Sequence, residues 1–486
     1  MEIKKISFDE ITEEDWTKLL QESQVDTLFQ TYIWNKIWWE VFHEKGDLEL
    51  LTIEDDEGLS AIFPMYSFEK DKQTIARVLG GMDVTDYQAS IIKPGKEIES
   101  FQKLFDYAED QDWDSLEFHF MPEVYLDTGA FSSELTYASR SRGVNLESGV
   151  QLEWDVEKDK PESESKYCPT PILNFRRLPK KAKISGIKDQ GIANLLEHMR
   201  SSRETKLRKK GKKRPEGKAG KFIREDYKNP YLALQETNHE FLETENIEEV
   251  EGDVNRLIEM MKKNPKKADF FRNDFRREFF FREIAKETFK RDWLRLKRLE
   301  VDGNIAAMLM CFDYKNRFWN QRFHDLQAYN TGFDLASHSD GKKLGLGKNL
   351  FMRTIVDAVS EGYDRFNFLR GGENYKYDFG VRDDLLYSFK TGGTAVIHSW
   401  ARDLSFNQLI RHVTDNPAYR LITKEKFVYP SQKKIPSDEC EWNLYGQGAI
   451  SKARKLAEEH ESSLVLLHVK RGIGQLDLQA DLYEKN

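Results

Sequence analysis

The sequence predicts an α/β (α+β) chain of two tandem, related domains, each a mixed sheet flanked by helices, followed by a C-terminal tail region. Three observations lead there. At 486 residues the chain is too long for one hydrophobic core, and about 150 residues per domain implies two or three domains. Hydrophobic periodicity in the N-terminal part reads as helix, three-strand meander, helix, strand. The same order returns about 245 to 250 residues later, which favours an internal duplication over chance.

In the first copy an amphipathic helix is expected over Glu13 to Glu22, then a buried helix within the aromatic run Phe29 to Phe42. Leu48 to Ile53 and Leu59 to Met65 flank the turn Asp55-Asp56-Glu57-Gly58 and read as a hairpin. A third strand at Thr74 to Leu79, a helix at Glu97 to Ala108 and a short strand at Ser115 to Phe120 complete the set.

In the second copy Trp293 to Val301 and Asn304 to Phe312 flank the turn Asp302-Gly303. Asp313 to Asn316 is expected to turn the chain into a third strand, Arg317 to Phe323, followed by a glycine-rich loop, a helix from Lys348 to Ser360 and a strand Asp364 to Leu369. Local wording repeats as well: Trp113-Asp114-Ser115-Leu116-Glu117-Phe118 is similar to Tyr363-Asp364-Arg365-Phe366-Asn367-Phe368. The boundaries expected are a first domain at 1–155, a linker or crossover at 156–189, a second domain at 190–395 and an extension at 396–486. Glu153 to Asp189, rich in Lys, Pro, Ser and Glu, reads as linker rather than core. In the tail, Ile450 to His460 suits a helix and Ser463 to Val469 a strand.

The 84 acidic and 75 basic side chains leave a formal charge of -9, so nothing global demands a polyanionic partner. The exception is local: Arg200 to Arg224 carries twelve Lys or Arg against Glu204 and Glu216. Its three readings are a solvated helix flank, an RNA contact, or an anionic lipid or glycan surface. Cys168, Cys311 and Cys440 have no metal-ligand or disulfide spacing, so no metal is expected and a reducing compartment fits. Without a signal-peptide core or a membrane span, a cytoplasmic protein is expected.

The segment Lys342-Lys343-Leu344-Gly345-Leu346-Gly347-Lys348 lies between an expected strand and an expected helix. The first N–H groups of a helix have no intrahelical partner and its dipole favours an anion, so glycines and three lysines there suit a pyrophosphate. An ordinary helix-entry turn is the alternative. The segment is neither a Walker loop nor a dinucleotide fingerprint.

A meander followed by Lys342-x-x-Gly345-x-Gly347, a helix and a further strand resembles the GNAT acyltransferases, with Lys at a position usually Arg or Gln. Phe366-Asn367-Phe368-Leu369-Arg370-Gly371-Gly372-Glu373-Asn374-Tyr375-Lys376 is similar to a signature of a twin-GNAT group that comprises the CelD-like acetyltransferases of cellulose biosynthesis and the Fem-type peptidyltransferases. Phe29 to Trp39 and Arg203 to Arg214 resemble further segments of that group.

The resemblance implies acyl transfer from acetyl-CoA or another acyl-CoA to an amine or hydroxyl, on a saccharide or cell-envelope precursor. A Fem-like transferase using aminoacyl-tRNA, and a non-catalytic binding scaffold, are the alternatives. The cofactor loop implied is Lys342, Lys343, Leu344, Gly345, Leu346, Gly347 and Lys348; Thr85 to Gly95, at the corresponding place in the first copy, has no GxG and is expected to bind no CoA. Of the catalytic candidates, Glu373 suits a general base, Tyr375 a donor to the leaving thiolate, and Arg370 or Lys376 a holder of an anionic group. A structural Arg370–Glu373 ion pair is the competing reading. His324, Asp325, Asp334 and His338 are second choices, and Cys311, among apolar residues, is expected to pack.

Overall fold

The hairpin turns place the strands. The computed structural model describes residues 2–70, 73–81, 83–111, 113, 115–122, 149–151, 168–318, 321–334, 341–390, 419–423, 432–434, 464–471 and 476–485. They divide into two units, one drawn from 1–25, 43–168 and 385–486, the other from 26–42 and 169–384. Each holds a mixed sheet flanked by helices.

In the first unit the strands run in the order Glu2–Ile6, Asp47–Asp55, Gly58–Lys70, Gln73–Val78, Ser115–Pro122 and Arg382–Lys390, the last from Leu385 onward. Gly58, at φ +106°, turns the first hairpin in a conformation that L side chains rarely adopt. Thr12 caps helix Glu13–Glu22 by accepting from Asp15 N–H, and the helix buries Trp16, Leu19 and Leu20. Helix Glu97–Asp110 carries the chain across to Ser115–Pro122, which runs parallel to Gln73–Val78 through three pairs, Ile75 to Ser115, Ala76 to Leu116 and Arg77 to Glu117. Residues of the tail form a four-stranded antiparallel sheet, including Leu464–Arg471 where a strand was expected; the helix expected at Ile450 to His460 lies outside the described residues.

The second unit repeats the plan. Its strand order is His239–Glu243, Leu294–Val301, Asn304–Phe318, Gln321–Phe333, Arg365–Asn367 and Cys168–Asn174. Helix Leu346–Ser360 again leads to a parallel strand paired through three residues, Asp325 to Arg365, Leu326 to Phe366 and Gln327 to Asn367. The first hairpin of each copy is irregular at the same place, between Ile53 and Glu54 and between Leu299 and Glu300. A shared irregularity in a shared strand order is what a duplicated unit retains.

Three expectations are revised. The hairpin does not turn at Asp313 to Asn316: the strand runs on to Phe318, and its partner begins at Gln321. Polar residues that read as a turn are satisfied inside the fold, Asp313 by Arg295, His324 and Tyr363, and Asn316 by Asp325. Within the stretch expected to be linker, Cys168–Asn174 is a strand antiparallel to Arg365–Asn367. Pro171 lacks an N–H but its carbonyl accepts from Phe368 N–H at 3.0 Å, so proline serves this ladder as an acceptor. Third, the aromatic helix, Tyr32–Phe42, belongs to the second unit. It is apolar nearly all round, and Trp34 meets Phe280, Phe312 and Tyr329 with ring centroids 5.3 to 5.8 Å apart.

Strand alternation sends Cys311 and Leu326 to one side of the second sheet, with Leu350, Ile355 and Leu195 from helices Leu346–Ser360 and Gln190–Lys209. Phe312 faces the other side with Trp34. Helix Ile247–Lys263 lies so close over Gln321–Phe333 that a Cβ on Gly332 would sit 2.7 Å from Met260.

Candidate functional site

Strand Gln321–Phe333 pairs with Arg365–Asn367 only as far as Gln327. Beyond that, Phe368 stays with Pro171, while Ala328 to Phe333 follow Asn304–Phe318 and, among the described residues, have no strand on the other side. The two strands therefore part. Pairing shifts from Met310/Asn330 to Cys311/Ala328, leaving Tyr329 bulged at the point of parting. A bulge there re-aims side chains and frees backbone groups, an arrangement common beside active sites. The corresponding pair of the first unit, Gly58–Lys70 with Gln73–Val78, shows no such shift.

The glycine loop follows the parted strand. Gly345 caps helix Leu346–Ser360 with φ +55°, and a Cβ there would lie 2.9 Å from Pro230, so backbone conformation and packing both require glycine. Asn349 N–H bonds to the Gly345 carbonyl, so the amides of Leu346, Gly347 and Lys348 are the first-turn donors. Gly347 has ordinary room, 3.5 Å to Phe333. Leu344 is buried and its carbonyl accepts from Asn349 Nδ2. Lys343 is exposed. Lys348 is drawn to the side: its Nζ lies 3.2 Å from the Asp226 carbonyl and 3.4 Å from Asp226 Oδ1, over the Tyr227 ring.

The signature segment forms a second loop around one lysine. Lys376, 4% exposed, places Nζ 2.7 Å from the Arg370 carbonyl, 3.2 Å from that of Gly371 and 2.8 Å from Glu373 Oε2. Two carbonyls accept from the ammonium and the Glu373 carboxylate pairs its charge, so this lysine ties the loop together. Leu369 (φ +57°) and Gly371 (φ +110°) give the loop its curvature. Glu373 is drawn two ways: burial raises its pKa, but Lys376 and Lys267 outweigh that and leave it below the ordinary carboxylate value. Burial first, and then the Glu373 charge, push the Tyr375 phenol well up, and its ring packs on Phe351 and Phe368.

A residue that sequence reasoning missed joins this group. Lys267, on helix Pro265–Asn273, donates through Nζ to the Thr331 carbonyl at 2.9 Å, on the stretch that the parallel strand has left. Burial lowers its pKa to about 8, with Glu373 opposing and Lys376 reinforcing the shift. Nothing in Lys-Lys-Asn-Pro-Lys-Lys singles this lysine out; only its half-buried place against the Thr331 carbonyl does.

Other candidates serve the scaffold. Asp325 is bound by Arg365 and Asn316, and His324 stacks on Tyr363 and meets Asp313. Asp334 is buried and meets Lys263 at 2.7 Å, Cys311 is fully enclosed, and His338 lies outside the described residues. The basic run forms a helical hairpin, Gln190–Lys209 and Pro215–Ile223, with Arg208 to Arg214 exposed, while Arg203 packs over Phe222. Among the described residues no group of three or more His, Cys, Asp or Glu is placed to hold a metal ion, and no helix is long and apolar enough to cross a membrane.

No curated relative matches the chain. A conserved protein of unknown function from Bacteroides thetaiotaomicron is similar in structure at 11% identity, covering 80% of this chain and 98% of its own, with a TM-score of 0.44. FemX is similar at 12% identity, over 80% and 97% of the two chains, with a TM-score of 0.38. A tandem GNAT protein from the clavulanic acid biosynthesis pathway is similar at 11% identity, over 80% and 97%, also at 0.38. Residues 233–377, which hold the parted strands, Lys267 and both loops, match the acetyltransferase (GNAT) domain family.

Proposed function

We propose that the second unit transfers an acyl group from acyl-CoA to an amine or hydroxyl acceptor. The observation that carries this reading is the parting of Gln321–Phe333 from Arg365–Asn367 at the Tyr329 bulge, with the glycine loop at one border and the Arg370 to Lys376 loop at another. The match of residues 233–377 to a GNAT domain supports it.

In this reading the amides of Leu346, Gly347 and Lys348 hold the pyrophosphate, with Lys342 and Lys343 adding positive charge. CoA supplies the activated thioester. Tyr375, kept protonated, donates a hydrogen bond to the sulfur as charge develops there. Glu373, held ionised, is a weaker proton acceptor than an unpaired carboxylate and better suited to attract a cationic acceptor, while Lys376 keeps Arg370 and Gly371 in place. A saccharide or cell-envelope precursor is the acceptor class that the sequence resemblance favours.

The test is calorimetry with acetyl-CoA on the wild type and on Gly347→Asp. Binding by the wild type and loss of at least about tenfold in affinity in the variant is expected, since like charge would face the pyrophosphate. No binding by the wild type would sink the reading. The exposed basic hairpin favours a second reading, an aminoacyl-tRNA donor. In that case tRNA, and not acetyl-CoA, raises the thermal midpoint.

A further inference from the structure

We infer that Lys267 is the general base of the transfer, the group that takes the acceptor's proton; this rests on the acyl-CoA reading above. Three distant parts of the chain meet around its amine. Helix Pro265–Asn273 supplies the side chain, Thr331 supplies the carbonyl that Nζ reaches at 2.9 Å, and the Arg370 to Lys376 loop supplies the neighbouring charges. Thr331 stands on the part of its strand without a second strand neighbour among the described residues, two residues past the Tyr329 bulge.

A lysine acts as a base only when its ammonium is destabilised, and the surroundings of Lys267 do this. Burial acts first, and the Lys376 ammonium adds repulsion. Glu373 opposes both, but its own charge is shared with Lys376 at 2.8 Å. On the strand side Asp334 is taken up by Lys263 at 2.7 Å. Asp269, on the same helix as Lys267, is exposed and meets Arg272. An amine titrating at about 8 combines a large neutral fraction near neutral pH with adequate basicity.

The step balances as follows for a hydroxyl acceptor. The neutral Lys267 amine takes the O–H proton as the oxygen bonds to the thioester carbon. The C–S bond then breaks, and the proton passes from Lys267 to the departing thiolate, which Tyr375 has stabilised by a hydrogen bond. For an ammonium acceptor, Lys267 takes the first nitrogen proton and releases it to water. The second nitrogen proton goes to the thiolate.

The experiment follows thiol release from acetyl-CoA, with water as acceptor, from about pH 6.5 to about pH 9.5 in the wild type, Lys267→Met and Lys267→Arg. Thermal shift with acetyl-CoA runs alongside. The wild-type rate should rise through an inflection near pH 8. Both variants should still bind acetyl-CoA, lose about 100-fold in rate and lose the inflection. Retention of rate and inflection in either variant overturns the assignment and leaves the acyl-CoA reading standing. Wild type that binds acetyl-CoA but releases no thiol also overturns it. Absence of binding by the wild type overturns both.

A readout needing no variant is trace labelling of the wild type with N-acetoxysuccinimide, read by peptide mass spectrometry. Lys267 should become reactive around pH 8; reactivity that begins only near the ordinary lysine value, about 10.4, overturns the proposal whether or not the variants fold.

Discussion

Asp325 and Arg365 face each other across the parallel strand pair and are joined by two hydrogen bonds, 2.7 Å from Nε to Oδ1 and 2.6 Å from Nη2 to Oδ2. Both are buried, so neither charge has water to fall back on. The parallel pair of the first unit also carries an ion pair, Arg77 with Glu117, but two residues further along, where the second unit has Gln327 and Asn367. Asp325→Asn leaves Arg365 short of its counter-ion and should cost about 3–5 kcal/mol, read as a lower denaturant midpoint. The double change to leucines should recover much of that loss.

Gly345 and Gly347 separate folding from binding. Gly345→Ala puts a Cβ against Pro230 in a left-handed conformation and should destabilise by about 1–2 kcal/mol or more in urea unfolding. Gly347→Asp has room and should leave the unfolding midpoint within about 0.5 kcal/mol of wild type, which makes it the cleaner probe of pyrophosphate binding.

Tyr375→Phe removes one oxygen from a ring whose packing on Phe351 and Phe368 remains. Acyl transfer should fall by about 10²-fold with affinity for acetyl-CoA little changed, as for loss of a donor that acts when charge develops on sulfur. Equal kcat in the two proteins would remove Tyr375 from the mechanism.

Lys267 also predicts a stability profile. Its pKa is about 8 folded, against an ordinary 10.5 when unfolded, so between those values the unfolded chain binds more protons. Stability therefore rises with pH across that window, and below it the partly desolvated ammonium costs on the order of 3 kcal/mol. Lys267→Met should be more stable than wild type at pH 7, with the difference shrinking as pH rises from about 8 to about 10.5. Thermal midpoints across that range check it.

Cys311 is enclosed and burial pushes its thiol well above the ordinary range, so the thiolate form is suppressed. In a Cys168→Ser/Cys440→Ser background, a thiol reagent should modify the protein only on unfolding, and Cys311→Ala should retain the acyl-transfer rate.

Much of the fold was legible because it rests on local chemistry. Helix Glu13–Glu22 shows its cap and apolar spacing, and the Asp55 to Gly58 and Asp302-Gly303 turns mark hairpins through residues that tolerate positive φ. The duplication followed from the order of such elements. Where local chemistry competes with burial the reading failed: Asp313 and Asn316 look like a turn until Arg295, His324 and Asp325 satisfy them, and Pro169 and Pro171 look like linker until Phe368 needs an acceptor.

The sequence by itself determined the two-copy plan, the glycine loop and the cluster of polar residues after Phe368. The tertiary structure alone decided that helix Tyr32–Phe42 lies in the second unit, that Lys348 turns to Asp226, that Lys376 ties its own loop, and that Lys267 reaches the Thr331 carbonyl within the field of Glu373. The physical reason is that spacing along a chain encodes the period of helices and strands. The charge state of an amine depends instead on which distant groups exclude water from it.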